Sequence, residues 1–125
     1  MKKSDGKKFN ILIVDDAPRN LQLLGKILQL AEYDVDFAMN GKQAVKMVQS
    51  ISFDMVLLDI MMPEMNGIEA CEAIRMDNKF DNIPILFLTA LADKEMVIKG
   101  FAAGAQDYIT KPFDNNEVLA RTKMH

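Results

Sequence analysis

The sequence predicts an α/β fold: a doubly wound, all-parallel sheet of five strands with helices on both faces. Three observations lead there. Short apolar runs alternate with helical patterns along all 125 residues. The first run, Phe9-Val14, is apolar at every position but Asn10, as a strand covered on both faces should be. Four runs end in a distinctive polar residue: Val14 leads into Asp15-Asp16, Leu58 into Asp59, Leu88 into Thr89, and Tyr108-Ile109-Thr110 into Lys111. Parallel strands place such ends on one rim, where ligands bind in open α/β sheets.

The elements follow in order. After the first strand, Pro18 suits the opening turn of a helix. Leu21, Leu24, Ile27, Leu28 and Ala31 form its apolar face, opposite Gln22, Lys26 and Gln29. Val35-Met39 is the second strand. Asn40 with Gln43 resembles a capping box, opening a helix that turns Ala44, Val45, Val48 and Ile51 inward. Asp54-Leu58 is the third strand. Beyond the Met61-Met65 loop, Asn66 with Glu69 starts a helix carrying Ile68, Cys71 and Ile74.

Ile83-Leu88 is the fourth strand, with Pro84 at its start, where a missing donor is tolerable. Asp93 is expected to cap a fourth helix containing Val97, Ile98 and Phe101, and Gly104 to end it. Gln106-Thr110 is the fifth strand, and Asp114 with Glu117 opens the last helix. Five strand–helix units imply right-handed crossovers. Residues 1–8 read as a solvated basic tail and residues 9–125 as one domain. The last helix reaches His125 without a Gly or Pro stop signal. The expectation is a piece of a longer protein, with a frayed terminus as the alternative.

A net charge of -3 gives no electrostatic case for nucleic acid or an anionic membrane. One cysteine, Cys71, excludes an intramolecular disulfide framework and fits a reducing cytoplasm. It reads as a small core hydrophobe. No apolar stretch is long enough to cross a bilayer. His125, the only histidine, lies at the terminus and is rejected as phosphohistidine or metal ligand.

Asp15, Asp16 and Asp59 on one rim repel one another unless a cation sits among them. Mg²⁺ is the expected ion, with Mn²⁺ as the alternative, since oxygen donors suit hard cations and no rim His or Cys favours zinc or copper. Any one of these aspartates alone would pass for a helix cap or turn former. Lys111 can neutralise a phosphoryl group, Thr89 can donate to one of its oxygens, and an aspartate facing a metal can attack phosphorus.

In combination, Val14-Asp15-Asp16, Leu57-Leu58-Asp59-Ile60-Met61-Met62-Pro63 with Gly67, Leu88-Thr89-Ala90, and Gly104 through Phe113 resemble the receiver domain of two-component response regulators. The resemblance covers Ile11 to about Arg121. It implies a CheY-like, flavodoxin-like sheet of strand order 2-1-3-4-5 with five flanking helices. It implies Asp59 as phosphoacceptor, fed by a sensor histidine kinase or a histidine phosphotransfer protein. Asp15, Asp16, Asp59 and the Met61 carbonyl would hold the metal, and Lys111 would contact the phosphate, with a cis bond to Pro112. Thr89 and Tyr108 would form the switch. Tyr108 by position alone reads as a half-buried strand aromatic, and the surrounding motif reverses that preference.

The implied protein is a switch that catalyses only its own phosphorylation and slow dephosphorylation. Its state would pass through the face of the fourth helix, fifth strand and fifth helix to an output domain in the same chain, or to a homodimer through that face. Met96-Val97-Ile98 widens the apolar arc of the fourth helix, which is either burial or part of such a surface. Met61 and Leu91, two residues beyond Asp59 and Thr89, are apolar and cannot orient an attacking water. The alternative is that both merely border the loop.

Two other classes compete. A haloacid dehalogenase-like phosphohydrolase would need an acid/base carboxylate at Met61. A flavin-binding module would need a Ser/Thr/Gly-rich phosphate loop where Asp15-Asp16 stands, and those carboxylates would repel a phosphate unless a metal intervened.

Overall fold

The computed structural model describes residues 9–90 and 94–125. The basic tail, the Asp93 cap and Leu91 lie outside the described residues. The elements are β1 (Asn10–Val14), α1 (Pro18–Leu30), β2 (Asp34–Ala38), α2 (Gly41–Ser50), β3 (Met55–Asp59), α3 (Gly67–Arg75), β4 (Ile85–Ala90), α4 (Lys94–Ala102), β5 (Asp107–Lys111) and α5 (Asn115–Met124). The five strands form one parallel sheet in the order β2-β1-β3-β4-β5, as the sequence predicts.

The alternation of strand side chains divides the core in two. On one face Leu12, Val14, Val56, Leu58 and Phe87 pack with Ala44, Val48, Cys71 and Ile74 from α2 and α3. On the other, Ile11, Ile13, Leu57, Leu86 and Ile109 pack with Leu21, Leu24, Leu28 and Val118 from α1 and α5. All five residues of β3 are buried. Cys71 is buried in the first core, and burial pushes its thiol up to about 11, fitting the inert small hydrophobe.

Capping partly follows expectation. Asn66 and Glu69 complete a reciprocal box. Asn40 accepts from the Gln43 amide, but Gln43 reaches past the cap to the Met39 amide. Asp114 accepts from the Glu117 amide, whereas the Glu117 carboxylate leaves the helix for Thr110.

Ile51 does not turn inward. The helix stops at Ser50, and Ile51 takes extended dihedrals that leave it 41% exposed. α4 buries only Gly100, so Ile98 and Phe101 stand largely in solvent rather than in the core. Gly104 lies just beyond α4 at φ +112°, the left-handed conformation for which glycine was expected.

Strand limits shift by one or two residues. Ile83 falls outside β4 because its amide closes a turn onto Phe80. That turn belongs to a short 3-10 segment, Asn78–Phe80, capped by Asp77, which the sequence reading did not anticipate. Gln106 precedes β5, and its side chain accepts from the Ile85 amide.

Arg75 ties this end of the molecule together. Its guanidinium donates to the Gly104 carbonyl, the Phe80 carbonyl and the Gln106 side chain. Arg75→Ala should strip these acceptors of a charged donor and cost about 2–3 kcal/mol. Denaturant unfolding measures this, and a loss within error of zero would contradict the assigned role.

Candidate functional site: the acidic rim

β1 and β3 end side by side, with Val14 opposite Leu58, so Asp15 and Asp59 emerge as neighbours. One carboxylate oxygen from each of Asp15, Asp16 and Asp59 lies within 4.8 Å of the other two. Asp15 and Asp59 are buried, while Asp16 is exposed and opens the cluster to solvent.

Each buried carboxylate has fixed partners. Asp15 accepts from the Ala17 amide at 2.9 Å and from the Asn20 side-chain amide at 3.0 Å. Asp59 accepts from Lys111 Nζ at 2.9 Å and from the Met61 amide. Lys111 Nζ also stands 3.6 Å from Asp15, so one ammonium serves two buried carboxylates. Lys111 reaches them from β5, and its bond to Pro112 is cis.

Burial pushes the Asp59 carboxyl up to about 6, and the Asp15 charge adds to this; the Lys111 hydrogen bond and charge and the Met61 amide oppose it. Burial pulls the Lys111 ammonium down, but its bond to Asp59 and the charges of Asp59 and Asp15 outweigh that and raise it. A single lysine therefore undercompensates the pair. A hard cation with oxygen ligands fits this cluster, being both the right chemistry for three carboxylates and the missing positive charge.

Gly67 makes the approach of α3 to this rim possible. A methyl there would overlap the Asp59 carbonyl oxygen and come within 2.8 Å of Ile60 Cα. The Gly67 amide donates to the Ile60 carbonyl at 2.8 Å, anchoring the turn beyond Asp59. Met61 lies in that turn with its side chain 69% exposed.

Thr89 is buried at the end of β4 and donates to the Ala90 carbonyl at 3.3 Å. Tyr108 pairs with Phe87 on the next strand. A groove of about 340 Å³ lies between Thr89 and Tyr108, walled by Lys94, Val97 and Ile98 of α4. The Tyr108 ring is edge-on to Phe101 and lies beneath the Arg121 guanidinium.

The rim thus gathers Asp15, Asp16, Asp59 and Lys111, with Thr89 beside them. Tyr108 stands one groove away. Asn20, which orients Asp15, was not singled out from the sequence as a site residue. Its position in the first turn of α1, five residues after Asp15, was the available signal. His125 lies away from the rim, 3.1 Å from Asp107.

A 2-1-3-4-5 parallel sheet with a lysine-bridged acidic rim defines a flavodoxin-like domain of the CheY-like class. The response regulator receiver domain model matches residues 11–123, and this chain belongs to that family. It is 41% identical over 113 residues to the DNA-binding dual master transcriptional regulator RpaA of Synechocystis, covering 90% of this chain and 47% of that protein. It is 40% identical over 111 residues to hybrid signal transduction histidine kinase D of Dictyostelium discoideum, covering 89% of this chain and 7% of that one. Among solved structures, the Vibrio cholerae chemotaxis protein CheY4 superposes with a TM-score of 0.89 at 33% identity, covering 94% of this chain and 98% of that one. The chain spans about half the length of RpaA and a small part of the hybrid kinase.

Family membership makes this a module of two-component signal transduction and sets aside the dehalogenase-type phosphohydrolase. Among the described residues no helix is long and apolar enough to cross a membrane.

Proposed function

We propose that the domain is a phosphoryl-accepting switch in which Asp59 takes the group from a phosphohistidine of a sensor histidine kinase or phosphotransfer protein. The observation that carries this is the setting of Asp59: a buried carboxylate, 2.9 Å from Lys111 Nζ, with two further carboxylates within 4.8 Å. An Asp59 oxygen attacks phosphorus, the phosphorus–nitrogen bond breaks, and the imidazole leaves with the electron pair. Lys111 neutralises charge on the transferred group.

Asp15, Asp16, Asp59 and the Met61 carbonyl would hold Mg²⁺, or Mn²⁺ in its place. The ion supplies charge neutralisation and orientation for phosphoryl transfer. Asn20 and the Ala17 amide keep Asp15 aimed at the cluster. Thr89 turns toward the new phosphoryl oxygens, and Tyr108 moves into the groove beside α4. The changed face of α4, β5 and α5 then signals to an output domain in the same chain or to a second copy. The exposed Ile98 and Phe101 support that face as a contact surface. This activity would belong in the cytoplasm, where the kinase's phosphohistidine is presented.

Incubation with Mg²⁺ and acetyl phosphate should add one acid- and base-labile phosphoryl group, absent from Asp59→Asn. The label should persist for minutes or longer, because the apolar Met61 side chain cannot orient a hydrolytic water. A lifetime of seconds would refute the slow-hydrolysis reading, and label retained in Asp59→Asn would refute the acceptor.

A further inference from the structure

β5 is the edge of the sheet, and two residues of α5 reach around it. Successive strand residues point to opposite faces. Ile109 accordingly packs with Val118 of α5, while Tyr108 packs against the opposite core. Glu117 and Arg121 stand one helical turn apart on α5. Glu117 accepts from both the amide and the hydroxyl of Thr110. Arg121 donates from Nη1 to Asp107 at 2.8 Å, and its guanidinium carbon lies 5.4 Å from the centre of the Tyr108 ring.

Arg121 therefore touches two consecutive β5 residues on opposite sides of the sheet. Asp107 is a firm anchor. It is buried and also receives its neighbour's amide and His125. Burial works against its charge, but these bonds and Arg121 outweigh burial and hold the carboxyl below its ordinary range.

We propose that Arg121 is a positioning residue of the switch, a clamp that holds Tyr108 in its resting orientation and sets how readily the domain activates. This rests on the reading of Asp59 as acceptor and Thr89–Tyr108 as switch. The guanidinium is fixed by Asp107 and cannot follow the ring into the groove beside α4. Inward movement of Tyr108 therefore breaks the cation–ring contact, and the contact favours the unphosphorylated state. Loss of a half-exposed contact of this kind should shift the equilibrium about two- to fivefold toward the active form.

The test is calorimetric titration of the Mg²⁺-loaded protein with beryllofluoride. Arg121→Gln retains a donor for Asp107 but loses the charge, and should bind about two- to fivefold more tightly than wild type. Arg121→Lys should restore affinity toward wild type. In a Tyr108→Leu background, Arg121→Gln should have no effect, a coupling that a purely structural role would not produce. Unchanged or weaker binding by Arg121→Gln, or an equal shift in the Tyr108→Leu background, overturns the clamp. Should Arg121→Gln fail to fold, Asp107→Asn frees the guanidinium and should shift affinity in the same direction, and its failure to do so overturns the clamp equally. Wild-type protein that binds no beryllofluoride, or binding that survives Asp59→Asn, overturns the acceptor reading and the clamp with it.

Discussion

In metal-free buffer at pH 7, Asp59→Asn should be more stable than wild type by about 3 kcal/mol, the free energy corresponding to a carboxyl raised from 3.8 to about 6. Burial is the main cause of that rise, and the charge of Asp15 adds to it. The sign follows from proton binding. Between about pH 4 and 6 the folded protein keeps the Asp59 proton while the unfolded chain has released it. Stability present below the unfolded value is therefore lost as pH rises through the folded one. The asparagine variant stays neutral at every pH and keeps what wild type loses on ionisation, so the two proteins should converge near pH 4 and separate toward pH 7. Mg²⁺ should narrow the gap at pH 7 by stabilising wild type more than the variant, since a ligand of the folded state shifts the unfolding equilibrium. Urea denaturation at both pH values with chelator, then with Mg²⁺, measures all three effects. A variant no more stable than wild type at pH 7 would falsify the assigned strain.

Gly67→Ala should unfold more easily by about 3 kcal/mol, near the top of the range for overpacking, because the added methyl meets backbone rather than a yielding side chain. Its opponents are the Asp59 carbonyl and Ile60 Cα, and α3 can recede from them only by releasing the Gly67 bond to Ile60. The same shift moves the turn that carries Met61. Mg²⁺ affinity should therefore fall roughly tenfold or more, as when supporting groups around a metal site are lost. Gly25→Ala is the control. There the added carbon meets the ring edge of Phe37, which is 41% exposed and free to move. A Gly67→Ala protein with wild-type stability and Mg²⁺ binding would show that α3 does not constrain the rim.

These expectations show what sequence can and cannot convey. Rim residues were legible because parallel strands bring their ends together whatever the details of packing. Asp15, Asp59, Thr89 and Lys111 therefore fell into place from run boundaries alone. Gly67 was legible only as part of a motif; its role depends on how closely α3 approaches β3, a distance that no spacing encodes. Asn20 and Arg75 went unremarked because a long polar side chain can reach many partners. Ile51 was misassigned because helical periodicity does not mark the residue at which a helix stops. The fourth helix was correctly placed, but its apolar arc faces solvent as much as core. Capping pairs identified the helix starts well, yet Glu117 shows that a side chain with cap spacing can be recruited elsewhere.

That recruitment has a consequence for solubility. Open sheet borders invite another strand to dock, the usual route to aggregation. On one border Glu117 occupies the Thr110 amide that an incoming strand would need. On the other, β2 carries Asp34 and Asp36, whose charges would lose hydration against a docking strand. Both margins of the sheet are thus defended against an added strand.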